Sequence, residues 1–417
     1  MDNTRLNETQ KEAFVQAYST NNYFLIQGPP GSGKTWLLAH LVIEFAKEGK
    51  KVLITSFTHT AINNALQKIS TLSGYPHVIK VGKKSQAKNL NYNGSKAINV
   101  TDFSRAGYSN DSKGIIVGAT CYAPYTKKLE FMSWDVIIID EAGQVPVQLA
   151  LPVMVKGEKY IFIGDHKQLP PIISENQGDI VFKKSIFELL FQYTTGIMLD
   201  ITYRMNKEIN TYPSRRFYSG RLQPHFSNEN QRLSISNNFS CHGEILDINK
   251  PEVLFCHNQT NNYSRSDFEA EIIAEFVNEY ISKGVSPDEI AIITPFRAQV
   301  RQLKKALSIY PFWGEYEERI FIDIVERIQG QERDIVMFSF GVSDPKNAKI
   351  RLDFIYNPNR FNVTLTRARK KRIVVANYNV FNFVSKDAEI NKLIHNYMAF
   401  YRESTVLKEV SYTDDLF

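Results

Sequence analysis

Three short stretches carry side chains able to act on a phosphate ester. Gly28-Pro29-Pro30-Gly31-Ser32-Gly33-Lys34-Thr35 keeps the G-x-x-x-x-G-K-[ST] spacing of a phosphate-binding loop. Its glycines let the backbone curl until successive N–H groups converge on phosphate oxygens. Lys34 then neutralises charge between the β- and γ-phosphates, and Thr35 offers its hydroxyl to Mg2+. Asp140-Glu141 closes the apolar run Val136-Ile137-Ile138-Ile139. Asp140 is suited to hold the Mg2+ shell through water, and Glu141 to orient and deprotonate an attacking water. Gln168, in Gly164-Asp165-His166-Lys167-Gln168-Leu169-Pro170-Pro171, is an amide at a strand end that can touch a γ-phosphate. Hydrolysis of a nucleoside triphosphate is the chemistry such a set performs. A ligand-free glycine turn and a pair of acids capping the next helix are the competing readings, and neither explains why the stretches occur together.

These groups need a scaffold that gathers strand ends. Tyr23-Phe24-Leu25-Ile26-Gln27 is a β-prone run before the loop, and Leu37, Leu38, Leu41, Val42 and Phe45 recur at helical spacing after it. Val52-Leu53-Ile54-Thr55, Ile115-Ile116-Val117 and Tyr160-Ile161-Phe162-Ile163 are further apolar runs of the length of buried parallel strands. In open α/β sheets ligands bind outside the carboxyl ends of such strands, where the three stretches fall. Ser56, Thr58 and Thr120 end strands or begin helices; their hydroxyls suit a nucleic-acid backbone and equally suit ordinary helix caps. Gln10 lies in a helix ahead of the first strand, and its paired donor and acceptor match the edge of adenine, although an exposed helical glutamine is the default.

The 417 residues allow two or three domains. With 43% hydrophobic and 23% charged residues the composition is that of a globular chain. No run approaches the roughly 18 apolar residues that would cross a bilayer, and Met1-Asp2-Asn3-Thr4-Arg5 does not open a signal peptide, so an intracellular, cytoplasmic location is expected, a nuclear one not being excluded. Three cysteines make no disulfide framework. A net charge of +6 permits a polyanionic partner without requiring one. Residues 82–113 and 219–266, rich in polar residues, are expected as surface insertions. Cys241-His242 and Cys256-His257 have poor spacing for zinc. Arg369-Lys370-Lys371-Arg372 reads as a phosphate-backbone contact or a solvated charge run. Tyr122, Tyr125 and Phe296 read as base-stacking rings or as core.

The order of these pieces resembles superfamily 1 helicases, in the up-frameshift-type branch that includes the nuclease-helicases of DNA replication. The likeness extends over residues 6–377. It implies two tandem RecA-like α/β domains with parallel sheets, at residues 1–200 and 201–417, and an ATP cleft between them. It implies nucleotide contacts at Gln10, Gly28, Pro29, Gly31, Ser32, Gly33, Lys34 and Thr35, and Mg2+ at Thr35 and Asp140. In Tyr203-Arg204-Met205 it implies that Tyr203 stacks on adenine and Arg204 reaches the γ-phosphate. In Gln329-Gly330-Gln331-Glu332 it places Glu332 on the ribose, and in Asn362-Val363-Thr364-Leu365-Thr366-Arg367 it makes Arg367 an arginine finger. Lys34, Glu141, Gln168, Arg204 and Arg367 form the expected catalytic set. Ser56, Thr58, Thr120, Pro295 and Phe296 form the expected nucleic-acid contacts.

Two features depart from the pattern. Ile328 stands where an aromatic is usual. The branch also carries a small β-barrel upstream of the adenine-reading glutamine, whereas nine residues precede Gln10 and only a short insertion near 75–113 is available to replace it. The expected activity is ATP-dependent 5′ to 3′ translocation on single-stranded DNA or RNA with duplex unwinding. The alternatives are an ATP-switched clamp that does not unwind, and a P-loop enzyme acting on a small molecule.

Overall fold

The computed structural model describes residues 6–73, 75, 77–87, 90, 97–171, 183–194, 196–345 and 352–408. The chain divides into two compact units, Met1–Asp200 and Ile201–Phe417. Each is a parallel sheet with helices, the α/β architecture the sequence implies.

In the first unit the strands are β1 (Tyr23–Gln27), β2 (Val52–Ser56), β3 (Val78–Val81), β4 (Ile98–Val100), β5 (Ile116–Thr120), β6 (Trp134–Ile139), β7 (Gly157–Gly164) and β8 (Ile197–Met198). They lie in the order β4-β3-β5-β2-β6-β7-β1-β8, with every described pairing parallel. Side chains alternate across the pleat. Ile26, Ile54, Ile138 and Ile161 enter one apolar core with the helices α1 (Glu8–Ser19), α2 (Lys34–Lys47) and α3 (His59–Ser73). Leu25, Leu53, Ile137 and Phe162 enter the core on the opposite face. Each fully buried aliphatic contributes about 1.5–3 kcal/mol, so this double-sided burial holds the register that aligns the strand ends.

The second unit opens with a two-stranded ribbon, β9 (Ile201–Thr202) and β10 (Gln223–Pro224). Its main sheet contains β11 (Glu252–His257), β12 (Ile290–Thr294), β13 (Phe321–Ile324), β14 (Arg333–Ser339), β15 (Ala368–Asn377) and β16 (Val406–Lys408). Their order is β13-β12-β14-β15-β11-β16, again parallel throughout. Ser266 caps the helix Asp267–Ser282 by accepting from Glu269 N at 3.2 Å. The Glu269 side chain does not return to the cap; it accepts from Ser339 Oγ at 2.6 Å and Gly341 N at 2.9 Å.

Two expected insertions contain sheet. Residues 219–266 include β11, whose Val253-Leu254-Phe255-Cys256 run is buried between β15 and β16. Residues 75–113 supply β3 and β4; positions 76, 88–89 and 91–96 of this stretch lie outside the described residues. Polar flanks hid both from a composition reading. Among the described residues no helix is long and apolar enough to cross a membrane.

Candidate functional site

Parallel strands put all their carboxyl ends on one edge. In the first unit that edge holds Gly28 after β1, Ser56 at the end of β2, Thr120 at the end of β5, Asp140-Glu141 after β6 and Asp165 after β7. The phosphate loop leads directly into α2, whose N-cap, Gly33, has φ 79°. Gly31 also has a positive φ, 74°, a backbone state that an L side chain rarely adopts. Ser32 Oγ donates to Pro29 O at 2.8 Å and closes the curl. Lys34 Nζ donates to Gly28 O at 2.8 Å, so its ammonium already lies over the loop.

Gln10 is not the exposed residue expected by default. It is 2% exposed and completes a capping box with Asn7: its N–H donates to Asn7 Oδ1 at 2.8 Å, and its Oε1 accepts from Asn7 N at 3.1 Å. Its Nε2 donates to Ser32 O at 3.0 Å, tying α1 to the loop. Among the described residues one N–H and one lone pair of the amide have no hydrogen-bond partner.

Glu141 has φ 51° and ψ 40°, a left-handed backbone that strains a non-glycine residue and sets the direction of its carboxylate. Gln144 Nε2 donates to Glu141 Oε2 at 3.3 Å, and Glu141 N donates to Asp140 Oδ1 at 2.9 Å. Burial and then the neighbouring Glu141 charge push the Asp140 carboxyl up to about 7, with Lys34 pulling the other way. Two acids opposed by one lysine, together with the Thr35 hydroxyl, make a hard-oxygen donor set that suits Mg2+. Gln168 Nε2 donates to Asp165 Oδ2 at 2.8 Å, and Gln27 Nε2 to Asp165 Oδ1 at 3.2 Å. Asp165 is thus a hub that the sequence reading quoted without giving it a role.

The expected nucleic-acid contacts divide. Thr58 is exposed and caps α3, accepting from Ala61 N at 3.3 Å. Thr120 is half-buried. Ser56 is 0% exposed, and its Oγ has no hydrogen-bond partner among the described residues. Tyr122 and Tyr125 are exposed, which removes the core reading for them. Phe296 is buried against Phe354, ring centroids 6.0 Å apart, so in this state it offers no open face to a base. Pro295 beside it is half-buried.

In the second unit the expected charged residues collect at the opposite edge of the sheet. Glu332 immediately precedes β14 and Arg367 immediately precedes β15. Arg204 Nε donates to Glu332 Oε2 at 2.6 Å and its Nη1 to Thr366 O at 2.9 Å. Burial would lift the Glu332 carboxyl, but Arg204, Arg369 and Arg367 outweigh it and hold it below the ordinary glutamate range. Arg367 Nε donates to Val363 O at 3.0 Å and its Nη1 to Gln331 O at 3.4 Å. Tyr203 is exposed with its ring 4.7 Å from that of His225. Ile328, at the position usually aromatic, is fully buried.

The basic run 369–372 is neither a solvated face nor an open backbone contact. It begins β15, where Arg369 pairs with Asp334 at 2.7 Å and with Glu289, and Lys370 pairs with Asp334 at 2.9 Å. Lys371 donates to the carbonyls of Ile245, Asp247 and Lys250 at 2.6–2.9 Å, and Arg372 pairs with Glu252. The zinc reading also fails: His257 Nε2 lies 3.2 Å from Glu269 Oε1 in a fully buried pair, and no metal-holding cluster occurs among the described residues.

A phosphate loop on the carboxyl edge of one parallel sheet, followed by a second parallel sheet, is the P-loop architecture of two tandem RecA-like domains. Two family models, each described as an AAA domain, match residues 5–182 and 182–379. The DNA replication ATP-dependent helicase/nuclease dna2 of Schizosaccharomyces pombe is 29% identical over 93% of this chain and 29% of its own length. The helicase/nuclease JHS1 of Arabidopsis thaliana is 27% identical over 89% and 28%, and DNA2 of Homo sapiens 25% identical over 89% and 37%. Together these matches make the chain similar to the superfamily 1 helicases of the up-frameshift/Dna2 type. It spans about a third of the length of these relatives.

Proposed function

We propose that the chain is an ATP-dependent translocase and helicase acting on single-stranded nucleic acid, moving 5′ to 3′. One observation carries the reading. The phosphate loop, the Asp140-Glu141 pair and the hydroxyls of Thr58 and Thr120 share one edge of one sheet, so a change at the nucleotide has a short rigid route to a bound strand. In this reading Glu141 orients and deprotonates the attacking water, Lys34 and Gln168 meet the phosphates, and Thr35 and Asp140 hold Mg2+ when it is bound, which screens the phosphate charge. Gln10 and Tyr203 serve the adenine and Glu332 the ribose. Arg204 and Arg367 supply guanidinium charge to the transferring phosphoryl, an effect of order 10³ to 10⁵ in rate, as the two domains close.

ATP turnover measured with and without single-stranded oligonucleotides tests this. The expected outcome is turnover raised by the strand and lost in Glu141→Gln. Turnover indifferent to any strand, with Glu141→Gln like the parent, overturns it. The second reading is an ATP-switched clamp that grips a strand without unwinding; separation of a tailed duplex beyond passive trapping eliminates it.

A further inference from the structure

Beside the candidate strand contacts lies a pair that the reading above leaves unused. Lys80, near the end of β3, is 0% exposed, and its Nζ sits 3.1 Å from His59 Nδ1 and 3.4 Å from Gln86 O. Among the described residues no carboxylate lies within ion-pairing distance of it. His59 is the first residue of α3, directly after the exposed Thr58, and is half-buried. Gly82 makes room for the ring: a Cβ there would stand 3.4 Å from His59 Cε1 and 3.3 Å from Lys80 Nζ.

An ammonium has donors and no lone pair, so the contact requires Nδ1 of His59 to be the acceptor. The ring hydrogen is then on Nε2, which has no hydrogen-bond partner among the described residues. Burial lowers Lys80 to about 8, which leaves the ammonium predominant at neutral pH. Burial first, and then Lys80 and Lys128, keep His59 below its ordinary range, so the ring is neutral. Among the described residues these are the charged groups that act on it, Lys80 from β3 and Lys128 from the segment after β5. The surroundings match a single strand: Thr58 beside the histidine, Lys128 as a cation, and the exposed Tyr122 with its ring 6.5 Å from that of Phe57.

We infer that His59 Nε2–H donates to a phosphodiester oxygen of a bound single strand, and that Lys80 is a positioning residue that fixes the tautomer from behind. The inference rests on the nucleic-acid reading above and adds a contact to it. A neutral donor orients the strand without drawing on counterion release, so removing His59 weakens binding but leaves the salt slope unchanged.

The test uses the full chain, with histidine-selective 15N labelling and an unstructured single-stranded DNA oligonucleotide as ligand. The parent is expected to show a neutral Nε2–H tautomer at His59 at pH 7. His59→Ala is expected to lose affinity by about tenfold or more, and His59→Gln, which keeps an N–H near that position, to recover most of it. Lys80→Met, a substitution that packs well in place of a buried charge, removes the donor that fixes Nδ1 as the acceptor; the Nδ1–H tautomer is expected to become populated, and His59 to titrate higher than in the parent but still below its ordinary range, since burial and Lys128 remain. Affinity in that variant then rises towards acid pH, as the ring gains a charge. An Nδ1–H tautomer in the parent, or an unchanged His59 tautomer in folded Lys80→Met, overturns the positioning role. Parent-like affinity in His59→Ala overturns the contact. Failure of the parent itself to bind any oligonucleotide overturns both this inference and the reading beneath it, which separates the two cases.

Discussion

Lys34 Nζ donates to the carbonyl of Gly28 at 2.8 Å, so the loop's own backbone holds the cation that a phosphate would claim. The close approach explains the glycine: a Cβ at position 28 would come within 2.1 Å of Lys34 Cγ and 2.4 Å of Cδ. Gly28→Ala is therefore expected to displace Lys34 and weaken ATP affinity by about tenfold or more, since charge-assisted contacts contribute roughly 1.5–3 kcal/mol each. Thermal stability should change little, because the displaced lysine can turn to solvent. Calorimetric titration with a non-hydrolysable ATP analogue checks this, and parent-like affinity would contradict it.

Glu141 reaches its position through a left-handed backbone that only a rigid surround maintains. Glu141→Gln keeps the shape and removes the base. Turnover is expected to fall by about 10² to 10⁴ with ATP affinity nearly unchanged. A fall in affinity with turnover preserved at saturation would assign Glu141 to binding instead.

Arg204 and Glu332 lie 128 residues apart in sequence and meet at 2.6 Å. The Glu332 side chain is 39% exposed, so solvent screens the pair and its value is of order 1 kcal/mol. Arg204→Ala, Glu332→Ala and the double variant form a cycle in which the two losses of unfolding free energy should not add, with a coupling of about 0.5–1.5 kcal/mol. Strict additivity in urea denaturation would show that the contact contributes nothing.

Lys80 and Lys371 are both buried lysines with opposite expected outcomes. Lys80 falls from 10.5 to about 8 on folding, so the unfolded chain binds more protons between those values. Its cost to stability is thus full below pH ~8 and disappears as pH rises towards 10.5. Lys80→Met should raise stability at pH 7 by about 1–2 kcal/mol, and the gain should shrink at alkaline pH. Lys371→Met instead leaves the carbonyls of Ile245, Asp247 and Lys250 without their donor, at a cost of about 2–4 kcal/mol at pH 7. Denaturant titrations across pH 7 to 10 distinguish the two; losses of similar size in both variants would refute the Lys80 account.

The first unit was legible because its signals are local. A strand, a glycine loop and an amphipathic helix follow one another within residues 23–47, and the apolar run ahead of Asp140-Glu141 can be read without knowing its neighbours. Long-range partners were not legible. The run at 369–372 has the composition of a surface, and Glu252, Asp334 and Glu289, which neutralise it, join only when β11, β12 and β14 assemble around β15. Gln10 reads as exposed until the Asn7 cap and Ser32 claim its amide. Lys80 gave no sign of its burial, since a lysine within a four-residue strand reads as an edge residue.

The central claim is that ATP hydrolysis moves the chain along one strand. Release of streptavidin from biotin placed at either end of a single-stranded oligonucleotide measures that movement directly. The account predicts ATP-dependent release from the 3′ end, slow release from the 5′ end, and none from either end with Glu141→Gln. ATP consumed in the presence of the strand with no release from either end would contradict it.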